Sequence, residues 1–246
     1  MVKNDNVFLP IWLKYYSKFF GTDNIYVLDH ESSDGSTDNI DALCQKEMVH
    51  YPYLSSIWKR DTVVARRSEL LKKYEYVIFT DTDEFIASNP EKYSDLEEFM
   101  MKADKDVYRC EGYDVCHLKD EPNIDLSRPL LRQRNYWSYS LESSKPSISR
   151  TPLNWIPGFH AVSGLDIPIT EDLVMLHLNR IDHDIRYAKH IAAAAYKWSE
   201  EDVKRKLSWQ YRLTEPSAFD DWFYNGGIPC NVIIPEIIPD KWKNIL

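Results

Sequence analysis

Glycine is scarce in this chain, with 7 residues among 246. A glycine-rich loop cradling a phosphate is therefore not the expected way for it to hold a nucleotide. Cysteine is sparse as well: Cys44, Cys110, Cys116 and Cys230 are the only four, and none has C-x-x-C spacing. That argues against a zinc site or a disulfide framework and predicts free thiols in a reducing compartment. Basic runs are limited to Arg66–Arg67 and Lys204–Lys206 under a formal charge of −9, so nucleic acid is not an expected partner. No apolar run is long enough to span a bilayer, and MVKNDNVFLPIW carries polar residues where the apolar part of a signal peptide would lie. A soluble, cytoplasmic protein is expected, one that would reach a membrane only peripherally.

Aromatic residues, in contrast, make up 13% of the chain, with 16 Tyr and 8 Trp, a composition suited to gripping flat or hydroxylated ligands. Apolar positions at Leu9, Trp12, Leu13, Tyr16, Phe19 and Phe20 predict a helix over Phe8–Phe20, with Pro10 in its first turn. IYVLD (Ile25–Asp29) reads as a buried strand, and the polar loop after it ends in an N-cap signature that predicts another helix. A further helix is expected over Trp58–Tyr74, then a strand from Tyr76. A capped helix follows in SNPEKYSDLEEFMMKA, then strands in DVYRCEGYDVCHL and Leu173–Leu178, then a helix in RIDHDIRYAKHIAAAAYKW. This alternation predicts an α/β fold with a mostly parallel central sheet and helices on both faces, ligands sitting at the strand carboxyl ends. Asp29 and Asp81 fall at such ends. The stretch from Lys119 to Asp166 is loop-rich and is expected to form a functional wall or lid.

YVIFTDTDEFI (Tyr76–Ile86) drives an apolar strand into Asp81, Asp83 and Glu84. Carboxylates at i, i+2 and i+3 past a strand end can converge on Mg²⁺ or Mn²⁺, leaving other positions for water and phosphate oxygens. The plainer reading is a solvated acidic turn.

Five stretches in order carry a more specific likeness: MVKNDNVFLPIWLKYY, IYVLDHESSDGSTD, VIFTDTDEF, NWIPGFH and HLNRIDHD. Together they resemble family 2-like glycosyltransferases of the GT-A (Rossmann-like) fold, in the branch whose strand ends D-x-D-E-F. The resemblance covers nearly the whole chain and implies one domain over 1–246. Residues 1–118 would form the nucleotide-sugar half and 119–246 an irregular acceptor half. It implies a divalent ion, Mn²⁺ or Mg²⁺, bound by Asp83 and Asp81 with His177 as a third ligand, Asp81 also facing the ribose and Glu84 bracing the loop. It implies donor contacts from Asn4, Asp29 and Asp34, with Ser32 and Ser33 as helpers. Arg66 or Arg67 could reach a phosphate, and Lys145 or Arg150 could neutralise the departing diphosphate. A turn at Asp34–Gly35 with Ser36 or Thr37 as a helix cap is the structural alternative.

Trp155 and Tyr113 are candidates to stack on the acceptor sugar. His160 stands where the family usually has an acidic base, so His160, Asp114, Glu171 and Asp172 all remain candidate bases. The implied activity is transfer of a sugar from a UDP-, GDP- or dTDP-sugar to a glycan or other hydroxyl acceptor, with inversion. The competing readings are a nucleotidyltransferase, a haloacid-dehalogenase-like phosphatase using the same acidic cluster, and a non-catalytic carbohydrate-binding relative.

Overall fold

The computed structural model describes residues 1–226 and 232–246; Cys230 lies outside them. Helix α1 (Phe8–Phe20) forms where the apolar period placed it and buries Leu9, Leu13 and Tyr16. Asp5 accepts the Phe8 N–H at 3.0 Å, and Gly21, at φ 66°, ends the helix. Strand β1 (Tyr26–Asp29) pairs parallel with β2 (Gln45–Met48), and Val2 adds a parallel bridge on the other edge of Asp29. The helix expected after Ser36 does not form. The Thr37 hydroxyl donates instead to Asp29 at 2.7 Å, and the segment runs through turns into β2.

Helix α2 (Ser56–Leu70) starts at Ser55, whose Oγ accepts the Trp58 N–H at 3.2 Å. The second sheet contains β3 (Val77–Ile78), β4 (Glu84–Ser88), β5 (Val107–Cys116), β6 (Tyr136–Tyr139), β7 (Ile148–Ser149), β8 (Ile169–His177) and β9 (Glu236–Ile237). Helix α3 (Leu96–Met101) lies between β4 and β5, capped by Asp95. After β8 come α4 (His183–Ala195), α5 (Glu200–Lys204) and α6 (Pro216–Asn225). The residues expected to form an irregular wall thus supply β6 and β7 to the sheet.

The molecule is a mixed α/β structure, but the expected mostly parallel central sheet is corrected by the pairing. Among the described residues, β5–β8 is the one parallel pair of the larger sheet; β3–β7, β4–β8, β5–β6, β5–β7 and β6–β9 are antiparallel. β3 lies on β7 and runs in the direction of β5 and β8, and the short TDTD turn then reverses the chain, so that β4 runs against β8. One apolar cluster runs through both sheets' neighbourhoods, from Val2 and Leu9 to Phe85, Leu176 and Trp242. Cys44, Cys110 and Cys116 are buried free thiols, as expected of them. No helix among the described residues is long and apolar enough to cross a membrane.

His190 on α4 is fully buried, with ring centroids 4.9 Å from Phe219 and 4.8 Å from Trp222. Burial, then the nearby Arg186 charge, pushes its pKa down to about 3. The neutral imidazole is the folded form, so its contribution is complete above the unfolded value of about 6.5. It is lost as pH falls toward the folded value, because only the unfolded chain takes the proton. His190 should therefore contribute about 1.4 kcal/mol per pH unit below the unfolded value to the fall in stability that urea unfolding records between pH 7 and pH 5. His190→Phe should flatten that slope; an unchanged slope would assign it to other groups.

Candidate active site

The acidic stretch of β3–β4 is a tight reversal. The Glu84 N–H donates to the Asp81 carbonyl and the Asp81 N–H to Glu84 Oε2, each at 3.1 Å. β4 then pairs with β8 in a register that sets Glu84 opposite His177, while β5 sets Asp114 beside His177 from the other edge. Three strands that are distant in sequence thus bring Asp83, His177 and Asp114 together.

His177 Nδ1 lies 2.9 Å from Asp114 Oδ1 and 3.0 Å from Ser143 Oγ, and Nε2 lies 3.8 Å from Asp83 Oδ2. Ser143 donates to Asp114 at 2.8 Å, and Arg180 Nε stands 3.6 Å from its other oxygen. Arg186 from α4 donates to Asp83 at 3.3 Å. Asp83 and Asp114 are buried and His177 is mostly so. Burial opposes charge on His177, but the hydrogen bond to Asp114 and the Asp83 charge outweigh it and raise its pKa. Burial would raise Asp83 and Asp114 too. His177 with Lys189 and Arg186 holds Asp83 below its ordinary value, and His177, Arg180 and Ser143 do the same for Asp114.

Asp81, expected to share a metal with Asp83, turns the other way. Its Oδ1 accepts from Lys59 at 2.5 Å, and Lys145 lies 3.8 Å from Oδ2. Lys145 also donates to Glu84, tying this turn to the loop that carries Lys145. Against the pull of burial, Lys59 and Lys145 hold the Asp81 pKa well below the carboxylate range. Nearby, Thr82 and Lys189 both donate to Asp5, at 2.5 and 2.9 Å. Lys59, Lys145, Arg186 and Lys189 therefore surround the two strand-end aspartates with positive charge. Among the described residues no three or more His, Cys, Asp or Glu side chains converge as a complete metal cage.

Gly112 and Gly158 are required by close approach. A Cβ on Gly112 would lie 2.2 Å from the Ser143 carbonyl carbon, so no larger residue lets the loop bearing Ser143 and Lys145 reach β5. A Cβ on Gly158, at φ 94°, would lie 2.6 Å from His160 Nε2. Phe159 follows at φ 65°, a conformation that costs about 1–3 kcal/mol and survives because its ring is pinned 4.4 Å from Phe79 and 5.4 Å from Trp155. His160 Nδ1 sits 2.6 Å from the Glu142 carbonyl, which can only accept, so Nδ1 carries the proton and Nε2 a lone pair. Burial, with the Lys145 charge, pushes its pKa down to about 4.

Other expected site residues fall elsewhere. Asn4 ties two loops together: its N–H donates to Ser32 at 3.0 Å, its Oδ1 accepts from Ser33 at 2.6 Å, and Nδ2 meets Tyr196. Asp29 is buried and occupied by Ser32 N–H at 2.8 Å and Thr37, so its carboxylate shapes the loop. Asp34 is exposed and accepts the Ser36 N–H at 3.0 Å, a turn role. Arg66 pairs with Glu47. Arg67 is buried, donating to the carbonyls of Thr151 at 2.8 Å and Ser149 at 2.9 Å; desolvation lowers its pKa to about 10. Neither arginine faces the aspartates.

The acceptor-wall expectation is corrected for both aromatics. Trp155 is only 1% exposed within an apolar cluster, and Tyr113 stacks on Trp137 at 4.1 Å, on the sheet face opposite its neighbour Asp114. Glu171 and Asp172 pair with Lys92 at 2.9 and 2.8 Å, at the far end of β8 from His177 and away from the strand-end aspartates. Arg150 pairs with Asp106.

Sequence reasoning missed Lys59, Arg186, Lys189, Arg180, Ser143 and Asp5. One signal was present: Arg186 and Lys189 are three apart on α4 and share a helix face. Compared with known proteins, the chain matches no family model, and no curated protein is recognisably similar to it.

Proposed function

We propose that the protein is a GT-A-type glycosyltransferase that moves a sugar from a nucleoside-diphosphate sugar to a hydroxyl acceptor, assisted by Mn²⁺ or Mg²⁺. The observation that carries this reading is His177, held by Asp114 with its free nitrogen facing Asp83 across 3.8 Å at a strand end ringed by four cations. A histidine whose second nitrogen donates to a carboxylate is the usual arrangement of a metal-ligating imidazole.

Asp83 and His177 would hold the ion, with donor phosphates and water completing the shell, since such ions need only one or two protein carboxylates. When bound, the ion supplies charge stabilisation for the departing diphosphate. Lys59, Lys145, Arg186 and Lys189 attract and orient the same anion. Their present partners, Asp81, Glu84, Asp83 and Asp5, keep the four cations paired. His160, neutral at physiological pH and with Nε2 unprotonated, takes the acceptor hydroxyl's proton as the acceptor oxygen attacks C1. The C1–oxygen bond to the diphosphate breaks on the opposite side, inverting the anomeric centre. An aspartyl nucleophile of the phosphatase kind is disfavoured at Asp81, where lysines stand against both oxygens.

Thermal unfolding with UDP-, GDP- and dTDP-sugars, with and without Mn²⁺, tests the proposal. One nucleotide class should stabilise the protein in a metal-dependent way, by about 2.7 kcal/mol at a hundredfold excess over Kd. No shift with any of them would sink the transferase reading; an equal shift without metal would remove the ion from it.

A further inference from the structure

The two sheets do not meet. Between β1 and β3 lies a cavity of about 280 Å³ running from Met1 and Val2 to Asn24 and Tyr74, with mainly apolar walls such as Leu9, Val63 and Leu70. β1 and β3 border it and run the same way. The Tyr26 and Tyr74 hydroxyls meet at 3.1 Å beside their starts, and the Met1 amino group is close enough to sense Asp81 beyond the end of β3.

Both strands turn peptide groups toward this space. β1 uses alternate residues to bind β2, as in Gln45 N–H to the Ile25 carbonyl and Val49 N–H to the Asp29 carbonyl. Tyr26 and Leu28 therefore face the other way. β3 pairs with β7 through Val77 and Phe79, the latter donating to the Ser147 carbonyl at 2.9 Å, which leaves Ile78 facing the cavity. A small apolar guest would leave these peptide groups unmet, at a cost comparable to lost hydrogen bonds. An extended peptide would satisfy both edges.

The direction of such a peptide is already set. Val2 donates to the Leu28 carbonyl and accepts from the His30 N–H, both at 2.8 Å, the pattern of a strand parallel to β1. Continued backward in register, the second residue upstream of Val2 would accept the Leu28 N–H and donate to the Tyr26 carbonyl. We propose that the cavity is a strand-acceptor slot, filled by an extended apolar segment joined to the amino side of Met1 that runs parallel to β1 and links the two sheets into one. The same segment would also brace the edge bearing Asp29 and Asp81, whatever chemistry that edge performs.

The test fuses a β-branched extension of about six residues, an ordinary strand length, to Met1, beside a Gly/Ser extension of equal length. Hydrogen exchange at the Leu28 and Ile78 amides should slow by about tenfold or more with the β-branched extension, with a raised thermal midpoint. The Gly/Ser extension should change neither. On the unmodified chain, the same β-branched sequence added as a free peptide should protect those amides weakly and in proportion to its concentration, since linkage supplies effective concentration. Absence of protection in both formats would overturn the slot. Protection by free peptide equal to or greater than that by fusion would overturn the attached-segment assignment and place the strand on a partner chain.

Discussion

Asp83→Asn is expected to lower sugar transfer by roughly 10³-fold in kcat/KM, about 4 kcal/mol of transition-state stabilisation, if the site works as proposed. Asp83 is the strand-end carboxylate placed to meet both the His177 nitrogen and Arg186, and the substitution keeps its shape while removing its charge. Asp114→Asn should act more gently, by about 10–100-fold, because Asp114 would act on the proposed ion only through the orientation of His177. Steady-state transfer assays at varied Mn²⁺ distinguish the two. The Asp114 variant should recover partly with added metal, and the Asp83 variant should not. Circular dichroism would check that the fold persists, since Arg186 loses its charged partner. Wild-type activity in Asp83→Asn would remove this carboxylate from the chemistry altogether.

The largest stability effect is expected at Lys145. Its side chain and that of Glu84 are both buried, 5% and 1% exposed as residues, and they pair directly. Lys145→Met leaves Glu84 without its closest cation and should cost about 3–5 kcal/mol, the usual penalty for breaking a buried pair from one side. Adding Glu84→Gln should return much of that loss. The amide removes the stranded charge, and its carbonyl can still accept the Asp81 N–H that Glu84 now accepts. Urea unfolding of the wild type, both single variants and the double variant measures the coupling. If the double variant is no more stable than Lys145→Met alone, the penalty comes from lost packing instead.

Residues next to each other in the chain made much of this legible. The apolar period of Phe8–Phe20, the helix in RIDHDIRYAKHIAAAAYKW and the strand leading toward Asp81 are local patterns, and each appears where the sequence placed it. That Asp83 and His177 lie near each other was anticipated only through the family resemblance, not from local pattern. The partners that set their properties were not legible. Lys59, Lys145, Arg186 and Asp114 come from separate elements, and only strand register and helix docking bring them within reach.

The same division explains the errors. Alternating apolar strands suggested a parallel sheet, but the TDTD turn reverses the chain so that β4 runs against β8, and the stretch read as loop-rich supplies β6 and β7 as antiparallel partners of β5. Arg67 and Trp155 looked like ligand contacts because of their chemistry, yet both are buried where α2 meets β7. The sequence by itself determined α1, α2, α4, the capped α3 and the acidic strand end, since these depend on nearest neighbours along the chain; it misplaced a helix after Ser36, where Thr37 turns to Asp29 instead. Tertiary structure alone decided which carboxylate is free to face His177, which is neutralised by lysine and which aromatics are walls of the core. Those outcomes depend on burial and charge contributed by residues far away in sequence.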